Sequence, residues 1–155
     1  MIKHIRQVAT APPPPLNEEW LNLAGGVEVE LTSEDPDSPI EGALLLNHTT
    51  GWRASTAGPQ TITLVWAHPV SLRRIRLVFE EPSQARTQEF VVRASTSDGS
   101  REIVRQQFNF SPSMTSRECE DYVTNLAGVT RLELAIIPAI DNAEAIATLK
   151  EWRVG

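Results

Sequence analysis

Apolar and polar residues alternate along most of this chain with a period of two, the spacing of a β-strand with one face buried. Val27, Val29 and Leu31 alternate with Glu28 and Glu30. Ile62, Leu64 and Trp66 repeat the pattern, as do Ile75, Leu77 and Phe79, then Phe90, Val92 and Ala94. Asp98-Gly99 is a turn signal, and a further strand is predicted from about Arg101 to Phe110. Tyr122, Thr124 and Leu126 predict a strand ended by Gly128, and Leu132, Leu134 and Ile136 one ended by Pro138. Thr148 to Val154 closes the series. Long helical periodicity is absent. About eight strands with turn signals at this spacing predict an all-β fold, two antiparallel sheets packed face to face as a β-sandwich.

The segments between strands have their own signals. Ile2 to Val8 is a candidate short strand, followed by the run Pro12-Pro13-Pro14-Pro15. Four prolines lack amide donors and favour an extended conformation, so residues 1–16 are expected to form a terminal strand and a stiff strap, and residues 17–155 a single sandwich domain. Asn17 could cap a helical turn through Trp20 and Leu21, stopped by Gly25-Gly26. Ser33 to Pro39 reads as a loop, Ile40 to Leu46 as a helical turn packed on the core, and Asn47 to Gly51 as a second loop. Glu80 to Glu89 is long for a hairpin connection, and long loops on rigid sandwiches often carry binding residues.

Composition narrows the function classes. The 155 residues fit one domain, with 41% hydrophobic and 22% charged residues. The net charge of -6 repels phosphate backbones, which argues against a nucleic-acid partner. The single cysteine, Cys119, excludes an intrachain disulfide and thiolate clusters. The first ten residues lack the apolar run of a secretory signal, and no segment approaches the roughly 20 apolar residues of a membrane span. These features lead to the expectation of a cytoplasmic chain with no membrane span.

Several stretches together resemble a known family. They are Gly51-Trp52-Arg53-Ala54-Ser55, Gln60 to Leu64, Leu72 to Leu77, and Phe90 to Ser95 with Asp98-Gly99 behind it. The ending Ala147 to Val154, with Trp152, belongs with them. They resemble the discoidin-type, galactose-binding-like domains, the group that includes the C domains of coagulation factors and many bacterial carbohydrate-binding modules. The resemblance spans roughly Val27 to Val154. It implies an antiparallel jelly-roll sandwich of about eight strands. It also implies a non-catalytic module that binds carbohydrate, or alternatively a protein, through loops at one end.

Candidate site residues follow from the chemistry a sugar needs, an apolar face for its C–H surface and fixed polar groups for its hydroxyls. Trp52 could supply the face, although a tryptophan at a loop corner more often anchors the core. Asn47, His48 and Arg53 could supply polar groups, and Arg86 and Gln88 could reach the same rim from the long loop. Arg86 could equally pair with Glu80 or Glu81. The loop Ser33 to Ser38 carries Asp35 and Asp37, oxygen donors of the kind calcium takes. The resemblance implies a structural calcium with a glutamate near the closing strand, where Glu151 stands. The alternative is a polar turn in which an aspartate caps its own backbone.

Enzyme chemistry finds little support. His4, His48 and His68 lack metal-ligand spacing, and neither a phosphate loop nor a Gly-x-Ser-x-Gly elbow is present. Glu118 and Glu120 share one strand face, as a carboxylate pair does in a glycosidase, but are read as a solvated face. Phe108 and Phe110 also share a face. Arg73, Arg74 and Arg76 form a basic stretch, read likewise as solvated.

Overall fold

The structure is a computed structural model and describes residues 20–155. The proposed strand at Ile2 to Val8, the proline strap and the Asn17 cap lie outside the described residues. Trp20 to Asn22 lie outside any helix or strand. The Leu21 amide donates to the Val154 carbonyl at 2.7 Å, which brings the start of the described chain against its end.

Eight strands and one short helix make up the described residues. They are β1 (Val27–Leu31), α1 (Glu41–Leu44), β2 (Trp52–Arg53), β3 (Gln60–Glu80), β4 (Arg86–Thr96), β5 (Gly99–Phe110), β6 (Arg117–Ile137), β7 (Thr148–Leu149) and β8 (Glu151–Val154). All pairings are antiparallel. The main sheet runs β1-β3-β6-β4-β5, and β8 also pairs β3.

The strand count matches the sequence, but its composition differs. The two strands expected at 61–66 and 74–79 are one continuous strand, β3, and those expected at 122–126 and 132–136 are one strand, β6. Both strands bend midway. The β3–β6 register shifts between Val65 and Arg74, where His68, Pro69 and exposed neighbours interrupt the apolar pattern. Gly128, with φ of 71°, carries β6 through the same bend instead of ending it. The two layers of the sandwich are therefore joined through β3 and β6. One layer holds β1, the first half of β3, the second half of β6, β4 and β5. The other holds β8, the second half of β3 and the first half of β6.

Period two explains the packing. Ile62 and Leu64 of one layer and Ile75, Leu77 and Phe79 of the other are fully buried, with Phe90, Val92, Leu132, Leu134, Ile136 and Trp152. Each such side chain contributes about 2 kcal/mol by leaving water. Phe79 stacks on Phe90 with ring centroids 5.3 Å apart, so an aromatic pair bridges the layers. Helix α1 buries Ala43 and Leu44 beside the closing strand. This is the packed helical turn expected between Ile40 and Leu46.

Candidate functional site

Two adjoining depressions share Lys150. The first, about 370 Å³, is lined by Trp20, Leu46, His48, Thr49, Arg76, Lys150, Glu151 and Arg153. The second, about 260 Å³, contains Arg53, Ser38, Glu80, Pro82 and Lys150 among its walls. Strand alternation creates the floor of the first. Ile75 and Leu77 point into the core, so Arg76 between them points out. Arg76 pairs in register with Arg153 of β8, and Val78 with Glu151. The outer face of this layer thus presents Arg76, Arg153 and Glu151 side by side. The loop after α1 contributes His48 and Thr49 to the lining, and Trp20 joins them from the start of the described chain.

The polar groups interlock unevenly. Glu151 Oε1 lies 3.5 Å from Arg153 Nε and 3.7 Å from Arg76 Nε, so one carboxylate faces two guanidiniums. Both distances exceed a good N–H···O hydrogen bond. Arg76 Nε is buried and has no hydrogen-bond partner among the described residues. Arg153 Nη1 donates to the Ala43 carbonyl at 2.8 Å and to the Trp152 carbonyl at 3.3 Å. Burial lowers the Arg153 pKa and the neighbouring Arg76 charge lowers it further, while Glu151 opposes both. The Arg74 guanidinium sits over the Trp20 ring at 5.4 Å and is held by Asp121 through a bidentate pair at 2.8 and 3.0 Å. Trp20 is thereby fixed as a wall of the cleft.

The structure separates the residues that the sequence grouped. His48 lines the first depression and Arg53 the second. Asn47 is exposed in the turn beside His48. Trp52 is 2% exposed, and its Nε1 donates to the Ser33 carbonyl at 3.2 Å, so it anchors the core while also lining the second depression.

Arg86 and Gln88 are also internal. Arg86 is 7% exposed and donates from Nε to Glu81 at 2.7 Å, and from Nη1 to the Pro138 carbonyl at 2.6 Å and to Gln88 at 3.0 Å. Gln88 is buried and reaches Glu118 at 3.4 Å. The long loop is shorter than its sequence suggests, because β4 already begins at Arg86. Neither residue joins the rim with His48 and Arg53.

The calcium set does not assemble. Asp35 Oδ1 accepts from the Asp37 amide at 2.9 Å, an aspartate capping its own turn. Glu151 is engaged with the two arginines of the cleft. Among the described residues no group of three or more His, Cys, Asp or Glu side chains could hold a metal ion.

Glu118 and Glu120 share a face as expected, but it is the inner face, since Glu118 pairs in register with Phe79 and Glu120 with Leu77. Glu118 is 1% exposed rather than solvated. Burial, together with the adjacent Glu120, raises its pKa to about 8, against the opposing effect of Gln88 and Arg86. Trp20, Arg76, Lys150 and Arg153, which build the cleft, were not grouped as a site from the sequence. The available signal was the outward spacing of Arg74 and Arg76 on one strand and of Glu151 and Arg153 on the last, which reads as a solvated face until the two strands are seen to pair.

The sequence matches no protein-family model and no curated protein. Solved structures match over most of their length. The C-terminal domain of a chitobiase from Bacteroides fragilis is 18% identical and has a TM-score of 0.63, with 88% of this chain and 97% of that one covered. A CBM32 module of a family 31 glycoside hydrolase from Clostridium perfringens is 14% identical with a TM-score of 0.63, covering 89% and 95%. The family 32 module of NanJ from C. perfringens, solved with galactose, is 14% identical with a TM-score of 0.61, covering 83% and 93%. The chain has the discoidin-type, galactose-binding-like fold of these carbohydrate-binding modules.

Proposed function

We propose that this protein is a non-catalytic carbohydrate-binding module whose site is the paired depression running from Trp20 and His48 past Lys150 to Arg53. The observation that carries this reading is the cleft itself. An indole wall and a set of outward polar groups, Arg76, Lys150, Glu151 and His48, converge on one space. An apolar ring surface with a few fixed donors and acceptors is the recognition chemistry of a sugar, and the volume lies in the range of small-ligand sites.

The solved neighbours support the reading at the level of fold, since one module of this shape, that of NanJ, is solved with galactose. The acidic pair suited to acid–base chemistry, Glu118 and Glu120, projects between the sheet layers, on the face opposite to Arg76. That placement supports binding without catalysis.

A glycan array followed by calorimetry tests the reading. Saccharide binding is expected, with Trp20→Ala and His48→Ala weakening it by about tenfold or more. The absence of binding to any mono- or oligosaccharide at millimolar concentration overturns it.

A further inference from the structure

The cleft carries more positive charge than its own carboxylates neutralise. Arg76, Lys150 and Arg153 line it against the single carboxylate of Glu151. That carboxylate is divided between two guanidiniums at 3.5 and 3.7 Å and makes a good hydrogen bond to neither. The Lys150 ammonium has only a loose contact to Glu80, at 3.9 Å, and Glu80 is also claimed by Arg117 at 3.1 Å. Arg53 extends the cationic rim into the neighbouring depression. All this occurs on a chain with a net charge of -6.

Several cations elsewhere on the surface are matched more closely. Arg74 holds Asp121 at 2.8 Å, Arg105 holds Glu89 at 2.8 Å and Glu102 at 2.9 Å, and Arg131 holds Glu30 at 2.8 Å. Pairing in the depression is looser than at these sites, and the buried Arg76 Nε there has no hydrogen-bond acceptor among the described residues.

We infer that the cleft selects anionic saccharides, with the acidic group of the sugar seated between Arg76 and Lys150 and its ring against Trp20. The inference rests on the carbohydrate-binding reading and names the ligand class of that site. The planar guanidinium of Arg76 suits two oxygens of one acidic group, and the ammonium of Lys150 adds a point charge. A uronate carboxylate and a sulfate ester share this chemistry. The indole wall distinguishes both from a free inorganic anion, because it rewards a ligand with a C–H surface.

Calorimetry on the full chain decides the matter with four probes: an oligogalacturonate, its methyl-esterified counterpart, a sulfated galactan oligosaccharide and its unsulfated form. At least one anionic probe is expected to bind about tenfold or more tighter than its neutral counterpart, with the difference shrinking as salt is added. Preference for the oligogalacturonate assigns the carboxylate, and preference for the sulfated galactan assigns the sulfate ester. Lys150→Gln and Arg76→Gln are each expected to abolish the preference, whereas Arg131→Gln, on the other layer, leaves it intact. Thermal melts establish that the variants are folded.

Equal affinity for charged and neutral partners overturns the inference while leaving the carbohydrate-binding reading in place. A preference that survives both Lys150→Gln and Arg76→Gln overturns it as well. No binding to any of the four, with neutral glycans also failing on the array, overturns the reading beneath it.

Discussion

Arg86 and Glu81 form the best-enclosed ion pair among the described residues, with Nε donating to Oε1 at 2.7 Å and the guanidinium 4.7 Å from the Phe110 ring centroid. The pair closes the turn between β3 and β4. Glu81 Oε2 accepts from the Ser83 and Gln84 amides at 3.1 Å, and Arg86 Nη1 reaches across to the Pro138 carbonyl. Removing one partner strands the other charge in a dry setting. Arg86→Met is therefore expected to cost about 3–5 kcal/mol, measured by urea unfolding. A loss below about 1 kcal/mol would show that water replaces the guanidinium and that the turn stands without it.

Glu118 gives the protein an unusual pH signature. Its folded pKa of about 8 lies above the ordinary carboxylate value of 4.5, because burial and the adjacent Glu120 disfavour its charge. The folded state holds a proton that the unfolded chain has released. This contribution is present in full below about pH 4.5 and is lost as pH rises to about 8, beyond which it is flat. Glu118→Gln imitates the protonated carboxyl and is expected to remove most of that slope. Chemical denaturation at pH 5 and pH 8, compared between the parent and the variant, checks it. Identical slopes would place the titration elsewhere.

Gly42 fixes the loop that carries His48. A Cβ built there would lie 2.5 Å from the Gly51 carbonyl oxygen and closer still to Thr50 Oγ1, while one at Gly25 would meet nothing within 4 Å. The helix turn and the following loop pack backbone to backbone, and Gly51 donates its amide to the Gly42 carbonyl at 3.0 Å. Gly42→Ala is expected to cost about 1–3 kcal/mol by overpacking and to weaken saccharide binding through His48. Gly25→Ala is expected to do neither. Thermal melts and calorimetry of both variants supply the comparison, and a neutral Gly42→Ala would mean that the loop yields freely.

Period-two patterning was enough to place β1 and the core-facing residues of β3, β4 and β6, because burial on one face leaves a direct mark on residue type. It could not show that β3 and β6 run through both layers. Local alternation breaks at His68-Pro69 and at Gly128 in the same way for a bend as for an end. The candidate site was legible only in part. His48 and Arg53 were readable as polar loop residues, but Arg86 and Gln88 look identical in sequence whether they serve a ligand or a buried pair. The cleft arises from cross-strand neighbours, Arg76 beside Arg153, whose proximity depends on a register that no local pattern encodes.

Arg153 provides a test of how the cleft is held together. Its strand, β8, has only four residues and pairs with β3 on one side, while on the other it meets α1 through the Arg153 guanidinium and the Ala43 carbonyl at 2.8 Å. A charged donor to a buried carbonyl contributes about 1.5–3 kcal/mol, so Arg153→Met is expected to lose roughly that amount in urea unfolding. The loss should be local before it is global. Residues 45–50 follow directly from α1 and are tied back to it by short backbone contacts at either end, the Leu45 amide to Glu41 at 3.0 Å and the Gly51 amide to Gly42 at 3.0 Å. Without the anchor, chymotrypsin is expected to cut at Leu45 or Leu46 well before the sandwich unfolds. Lys150→Gln, which removes a neighbouring cation but no anchor, should leave the cutting rate unchanged. If Arg153→Met resists cleavage as well as the parent does, the loop is held by the Gly42–Gly51 packing alone, and the arginine serves the cleft rather than the fold.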